Sequence, residues 1–187
     1  NIISGGLGDD TIGDVAGNSG NDILFGDAGN DVIYGGPDND KIFGGIGNDF
    51  LDGGDDTDEL HGGLGKDYMA GGPGLDTFFF ASAAESKKGA ARDVITDFSV
   101  IADLIDLSAI DAKKGVAGNQ DFKFIGAAHF HDKKGELRFV KVDAAGTSSD
   151  KTIVQGDLNG DGKADFQIEV HNTNGDLQAL VKGDFVL

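Results

Sequence analysis

Cysteine and tryptophan are missing from this chain, and it has only two prolines and one methionine in 187 residues. Without cysteine there is no disulfide and no thiolate metal site. That absence excludes neither an oxidising nor a reducing compartment. Basic residues are scarce, 15 against 33 acidic ones, and the net charge is −18. A nucleic-acid partner is not expected, because binding it takes a basic surface. The expected counterion is a cation. No apolar run approaches the ~18 residues that span a bilayer, so no membrane span is expected. No N-terminal signal peptide is visible. The chain opens on Asn rather than Met, which reads as a fragment of something longer. Its length allows one or two domains.

Glycine is what the chain has in excess: 32 of 187 residues, about 17% against a usual ~7%. The glycines are not scattered. Aligning the Gly-Gly pairs gives a nine-residue unit, G-G-x-G-x-D-x-U-x with U apolar. Copies begin at Gly5, Gly17, Gly26, Gly35, Gly44, Gly53, Gly62 and Gly71. The step is nine from Gly17 onward and twelve before it, so three residues are inserted in the first interval. Every Asp slot is filled: Asp10, Asp22, Asp31, Asp40, Asp49, Asp58, Asp67 and Asp76. Every U slot is apolar: Ile12, Leu24, Ile33, Ile42, Leu51, Leu60, Met69 and Phe78. The opening "NIIS" fits the last four places of one more copy, with Asn1 in the Asp slot. A disordered glycine-rich linker would not keep both slots in register eight times.

The residue types explain the pattern. Glycine pairs permit positive φ and let carbonyl oxygens converge in a tight turn. Asp adds a hard anionic oxygen, and calcium takes about 6–8 such oxygens. The x-U-x triplet is a very short strand with one side chain inward. Two units make a coil of turn, strand, turn, strand. Turns 18 residues apart in sequence then lie side by side at roughly the strand spacing, ~4.8 Å, with room for a cation between them.

"GGLGDDTIG", "GNSGNDILF", "GDAGNDVIY" and "GGIGNDFLD" resemble the RTX β-roll family. The resemblance implies an all-β fold, a parallel β-roll over residues 1–80, with calcium as the bound ion. It implies that each calcium takes two half-sites from turns on the same side, each giving its Asp and two main-chain carbonyls. Carried over, the strong pairs are Asp22 with Asp40, Asp31 with Asp49, Asp40 with Asp58, Asp49 with Asp67, and Asp58 with Asp76. Asp10 with Asp31 is a sixth that the insertion puts in doubt. The turn residues implied are Gly17 and Ser19; Gly26, Asp27, Ala28 and Gly29; Gly35, Gly36 and Asp38; Gly44, Gly45 and Gly47; Gly53, Gly54 and Asp56; Gly62, Gly63 and Gly65; Gly72 and Gly74. Asp38 and Asp56 stand where the unit has its third glycine; each still offers a carbonyl but can distort its turn.

Calcium should then decide the fold. Stacked turns crowd aspartates that repel without cations, and one inward side chain per strand makes a thin core. A site at tenfold excess over its Kd adds roughly 1.4 kcal/mol, and five add roughly 7. That is comparable with the ~5–15 kcal/mol of a whole domain. The roll is expected to be unfolded at cytosolic calcium and folded at millimolar calcium.

After Asp76 the repeat stops. "DTFFFAS" reads as a strand closing the roll, "ELRFVKV" and "KTIVQ" as strands, and "DLIDLSAID" as a short helix or turn. "DFQIEVH" alternates Phe166, Ile168 and Val170 against Gln167, Glu169 and His171, a half-buried strand. Residues 81–187 are expected to form a small antiparallel β sandwich that caps the roll's open end. The roll's two outer faces differ. One shows Val32, Tyr34, Phe50, Asp52, Tyr68 and Ala70; the other shows Ile23, Phe25, Lys41, Phe43, Glu59, His61, Thr77 and Phe79. Contiguous apolar surface usually has a partner, so the first face is expected to lie under the cap or under an upstream domain.

"DVITDF", "DLIDLSAID", "FKFIG", "GELRFVKVD", "GDLNGDGKADFQI" and "GDFVL" are similar to the C-terminal region of serralysin-type zinc metalloproteases. Related ends occur in RTX lipases and mannuronan epimerases. The resemblance implies a secreted, extracellular protein whose upstream catalytic domain lies on the same chain. It also implies an uncleaved signal for the type I secretion machinery, which Asp184-Phe185-Val186-Leu187 fits; a plain edge strand is the other reading. "DLNGDGKAD" follows the first six places of an EF-hand loop through Asp157, Asn159 and Asp161, with Gly162 for the turn and Asp165 after it. Ile168 replaces the bidentate Glu, so the loop resembles the shorter calcium loops of dockerin and integrin repeats, or is a hairpin turn. Asp97 or Asp103 could complete the unpaired half-site on the last coil.

An H-E-x-x-H signature is absent: His61, His129, His131 and His171 have other spacings. His129 and His131 would share one strand face and read as surface residues. There is no Cys nucleophile and no G-x-S-x-G elbow. The fragment therefore reads as non-catalytic. Two roles are open: a calcium-folded secretion and stability module of an exported enzyme, or a module that binds a polysaccharide or cell surface. Sparse arginine (Arg92 and Arg138) and absent tryptophan favour the first.

Overall fold

A computed structural model describes residues 1–13, 19–142, 151–172 and 180–187. The strands in chain order are β1 (Ile2–Leu7), β2 (Thr11–Gly13), β3 (Ile23–Ala28), β4 (Val32–Gly36), β5 (Lys41–Ile46), β6 (Phe50–Gly54), β7 (Glu59–Leu64), β8 (Tyr68–Ala70) and β9 (Thr77–Phe79). They continue as β10 (Val94–Phe98), β11 (Leu104–Asp106), β12 (Lys123–Phe124), β13 (Glu136–Val142), β14 (Lys151–Asp157), β15 (Phe166–Asn172) and β16 (Phe185–Val186). From β1 to β11 successive strands alternate between two sheets, and β12 to β15 all lie in one of them. One runs β1-β3-β5-β7-β9-β11-β16 and the other β12-β13-β14-β15-β10-β8-β6-β4-β2. The result is a parallel β-solenoid of stacked coils, the β-roll that the nonapeptide spacing predicts.

Register follows the repeat. Leu24 pairs with Ile42, Ile42 with Leu60, and Ile33 with Leu51, each a step of 18. The first coil is longer: Ile2 pairs with Ile23 and Thr11 with Val32, a step of 21. The three-residue insertion is therefore absorbed without shifting a single slot. The U residues of the two sheets face each other between the layers. Leu24, Ile42, Leu60, Phe78, Ile33, Leu51 and Met69 are at most 1% exposed. Full burial of such a side chain stabilises by roughly 1.5–3 kcal/mol. One per strand gives a narrow but continuous core.

Three expectations for the second half need correction. "DTFFFAS" does not close the roll, because β9 pairs onward with β11 and β8 with β10. "DLIDLSAID", read as a short helix or turn, begins as a strand: Leu104–Asp106 is β11, with Ile105 in the U register of Phe78, and a turn follows at 108–109. The sequence "RDVI" and "ADLI" keep the D-x-U core of the repeat after its glycines are gone, so the short strand still has its slot. Glu169, expected to face water, is only 8% exposed. Arg92, Lys151 and His171 surround its carboxylate, which makes its burial tolerable.

The antiparallel part is β13-β14-β15, in register from Glu136↔Asp157 to Thr152↔Val170. It joins the roll through parallel β10–β15 pairing, so it extends the nine-stranded sheet. It does not fold back over the face bearing Tyr34, Phe50 and Tyr68. Phe50 is 38% and Tyr68 42% exposed, which overturns the expectation that the cap covers them. On the opposite face, Phe25, Phe43, His61 and Phe79 stack in one column, with ring centroids 4.9, 4.4 and 4.6 Å apart.

Candidate metal centre

The aspartates of the repeat form two ladders, one along each edge of the solenoid. The main-chain N–H of each Asp donates to Oδ1 of the Asp one coil later. On one edge Asp22 donates to Asp40 (2.8 Å), Asp40 to Asp58 (2.8 Å) and Asp58 to Asp76 (3.0 Å). On the other Asp10 donates to Asp31 (2.8 Å), Asp31 to Asp49 (2.9 Å) and Asp49 to Asp67 (2.9 Å). All five strong pairs are thus neighbours, and so are Asp10 and Asp31. The amino group of Asn1 reaches Asp22, in keeping with its place in an Asp slot.

The second carboxylate oxygen is the telling one. Oδ2 of Asp10, Asp31, Asp40, Asp49, Asp58, Asp67, Asp76 and Asp93 is buried and has no hydrogen-bond partner. Such an atom normally costs about 1–3 kcal/mol, more when charged. Four of the orphans, on Asp31, Asp40, Asp49 and Asp58, sit beside a carbonyl oxygen of the next coil. At the point where a Cβ on Gly35 would sit, Oδ2 of Asp40 lies 2.6 Å away and the carbonyl of Gly53 2.3 Å away. The same holds at Gly44, for Asp49 and the carbonyl of Gly62, both at 2.5 Å. Gly26 repeats it with Asp31 and Gly44, and Gly53 with Asp58 and the Gly71 carbonyl. Around Gly62 only Asp67 is this close. Oxygens from two successive coils converge with no donor between them. A hard cation is the group that would satisfy them, and the donor set fits calcium.

Positions two and four of the unit are set by stacking. A Cβ on Gly47 would stand 1.6 Å from the Gly29 carbonyl, and one on Gly65 1.5 Å from the Gly47 carbonyl. Gly45, Gly54, Gly63, Gly72 and Gly74 meet a carbonyl of the preceding coil in the same way, at 1.6–2.2 Å. Gly36 takes the same turn conformation, with φ +103°. Asp27, Asp38 and Asp56 are non-glycine residues held at φ 70°, 76° and 80°. Gly29, Gly47 and Gly65 sit near +150°, so the turns at Asp38 and Asp56 do take a different shape. Ala28 ends β3, Ser19 lies in the irregular segment before it, and Gly17 lies outside the described residues.

Burial and neighbouring carboxylates push these acids upward. Asp49 and Asp76 rise to about 6, Asp58 and Asp67 to about 7. Burial is the largest cause for each, like charges add to it, and the donated N–H works against it. Asp40 is raised in the same way.

Both ladders continue past the recognisable repeat. Asp67 N–H donates to Asp93 Oδ1 at 2.9 Å and Asp76 N–H to Asp103 Oδ1 at 3.1 Å. Asp93 is a position that sequence reasoning missed, although "RDVI" carries its D-x-U signal. It is fully buried, and its carboxyl is pushed up to about 8, chiefly by burial. Its N–H goes to Ser86 Oγ, which in turn donates to the Gln167 carbonyl; its own carbonyl takes the Glu169 N–H. No glycine turn holds Asp93; β15 does. Asp97 stands apart from the ladder, accepting the N–H groups of Gly71 and Gly72 at 3.0 and 2.9 Å.

The 157–165 loop joins β14 to β15. Asp157 accepts from Gly160 and Gly162, Asp165 from Leu158 and Asn159, Asn159 from Asp161, and Asp161 from Lys163. Each carboxylate already has main-chain donors, the pattern of a self-contained turn. The histidines do not gather. His129 and His131 lie in the loop before β13 rather than on a strand face. His131 meets Glu136, His61 meets Glu59, and His171 meets Glu169. Among the described residues no three His, Asp or Glu side chains form a metal group, so a cation on the ladders would need carbonyls as well as side chains.

Residues 1–12, 16–51 and 43–78 match the RTX calcium-binding nonapeptide repeat. No curated protein matches the chain. Among solved structures, the chain is similar to the solution structure of the AlgE6R3 subunit of the Azotobacter vinelandii mannuronan C5-epimerase. That pair is 24% identical with a TM-score of 0.49, over 97% of this chain and 78% of the other. Residues 1–12 and 16–78 thus carry RTX calcium-binding nonapeptide repeats.

Proposed function

We propose that this chain is the calcium-folded, non-catalytic C-terminal module of an exported enzyme. One observation carries the reading: eight buried Oδ2 atoms lack partners. In this account the roll begins in residues 1–80 and runs on through β10 and β11, and the antiparallel β13-β14-β15 of residues 81–187 is its cap. Asp22, Asp31, Asp40, Asp49, Asp58, Asp67 and Asp76 hold calcium ions between coils, with carbonyls of the glycine turns completing each shell. Asp10, Asp93 and Asp103 extend the ladders. Calcium supplies positive charge where the coils would otherwise repel, and so ties each coil to the next.

The serralysin-like segments support a zinc metalloprotease as the upstream domain and the type I machinery as the exporter. Low cytosolic calcium keeps the chain unfolded for export, and extracellular calcium folds it outside. The terminal Asp184-Phe185-Val186-Leu187 fits this order. In the folded chain Phe185 is 7% exposed and pairs through β16 with β11, so a signal there is readable only before folding.

Isothermal titration of the chain with calcium, in excess magnesium, tests the assignment. At least five bound calcium ions per chain are expected. Binding of one or none, or equal displacement by magnesium, would overturn it.

A second reading has one observation in its favour. Phe50 and Tyr68 stand exposed on one sheet face, with Lys66 over the Tyr68 ring at 4.9 Å. Exposed aromatics beside a cation suit a polysaccharide or cell-surface ligand. Retention on a polysaccharide column that Tyr68→Ala abolishes would favour this role.

A further inference from the structure

The chain has two arginines, and their surroundings differ. Arg92 is fully engaged: Nε and Nη2 donate to Glu169 Oε2 at 2.9 and 2.7 Å. Arg138, on β13, has no carboxylate among its described partners. Nε donates to Gln155 Oε1 at 2.8 Å, and Nη1 to the Ala128 carbonyl at 3.4 Å beside His129 Nδ1. Its guanidinium lies over the Phe130 ring at 4.8 Å. Among the described residues no carboxylate reaches it, in a chain with 33 acidic residues. The nearest acid along the strand, Glu136, is buried and taken by the N–H and Nδ1 of His131.

Arg138 also opens onto a cleft of about 480 Å³, lined by Ala127, His129, Phe139, Val140 and Lys141. The walls are largely apolar and the charged end is a fixed planar fork. Burial pushes the guanidinium downward, the direction that an approaching anion would reverse. A fork of this kind matches the two oxygens of a carboxylate. The overall charge of −18 does not forbid it, since charges beyond about 8 Å are largely screened at physiological salt.

We propose that the Arg138 cleft is a binding site for a small organic carboxylate, with the guanidinium gripping the carboxyl group and the Ala127–Val140 wall covering an apolar body. The site lies at the far end of the nine-stranded sheet and is separate from the aspartate ladders.

Two arginines give two Nε–H resonances, so the site can be read directly. The calcium-saturated full chain is titrated with sodium benzoate while both Nε–H signals are followed by 15N-resolved NMR. The expected result is a saturable shift of the Arg138 signal with the Arg92 signal fixed. Acetate, which lacks the body, should need at least tenfold more for the same shift, and sulfate should not compete. Arg138→Lys keeps the charge but loses the fork, so benzoate shifts at the Ala128 and His129 amides should disappear. Three results would each overturn the proposal: a shift that grows linearly without saturating, an equal response to sulfate, or undiminished amide shifts in R138K.

Discussion

Replacing Asp58 by Asn separates the two roles that the structure gives the ladder. The change is isosteric and keeps Oδ1 as the acceptor for the Asp40 N–H. It removes a buried charge flanked by Asp40 and Asp76, and it sets an amide donor beside the Gly71 carbonyl, where Oδ2 now has no partner. In chelator at pH 8 the variant should therefore gain stability. Burial and the flanking carboxylates raise Asp58 from 3.8 to about 7, so keeping it charged at pH 8 costs stability in the metal-free chain. The calcium response moves the other way. Asp58 takes part in two of the five strong pairs, so about 3 of the roughly 7 kcal/mol that tenfold calcium supplies is lost. Far-UV circular dichroism in chelator, then thermal midpoints across a calcium series, reads both effects. D58N should show more β signal without calcium and a smaller rise in midpoint with it. A variant less folded in chelator, or one with an undiminished calcium increment, would refute the reasoning.

The metal-free chain should fold better in mild acid. Asp49, Asp58, Asp67, Asp76 and Asp93 have folded values of about 6–8, above their unfolded ones. Their burial is favourable while protonated and is lost as pH rises through that window. In chelator, β signal should grow from pH 8 to pH 5, and a flat profile would count against buried ladders. Glu169 has the opposite sign. Burial alone would raise it, but His171, Lys151 and Arg92 outweigh that and hold it at about 2. Its contribution is present above its unfolded value and is lost as pH falls toward 2, so Glu169→Gln should matter at pH 7 and little at pH 2 in thermal melts. Gly47→Ala forces a Cβ to within 1.6 Å of the Gly29 carbonyl at φ +148°. A loss of about 2 kcal/mol or more is expected, seen as a higher calcium midpoint. Ser86→Ala frees the Asp93 N–H and should weaken one calcium site while leaving the others, a change visible by titration calorimetry.

Much of this was legible in the residues themselves. The nine-residue step fixed which aspartates are neighbours, because a strand period of two and a turn of fixed length leave one register. The insertion before Gly17 lengthens the first step to 21 and leaves the strand register in place. What escaped was wherever tertiary contacts stand in for local signals. Asp93 has no glycine turn before it; Ser86 and β15 hold it, from residues far along the chain. "DLIDLSAID" reads as a short helix or turn because it lacks a clear period, yet Ile105 falls into the register of Phe78. The cap was expected over the Tyr68 face because that face is apolar. Composition says that a surface wants a partner but not that the cap extends the sheet sideways. Glu169 read as outward by alternation, and only the structure brings Arg92 and Lys151 to it.

The central claim is that calcium decides whether the roll is folded. The most direct test is a far-UV circular dichroism titration of this chain from chelator to several millimolar calcium, with magnesium in parallel. The account predicts a cooperative gain of β signal near millimolar calcium and none with magnesium. A chain already fully folded in chelator, with no change on adding calcium, would contradict it.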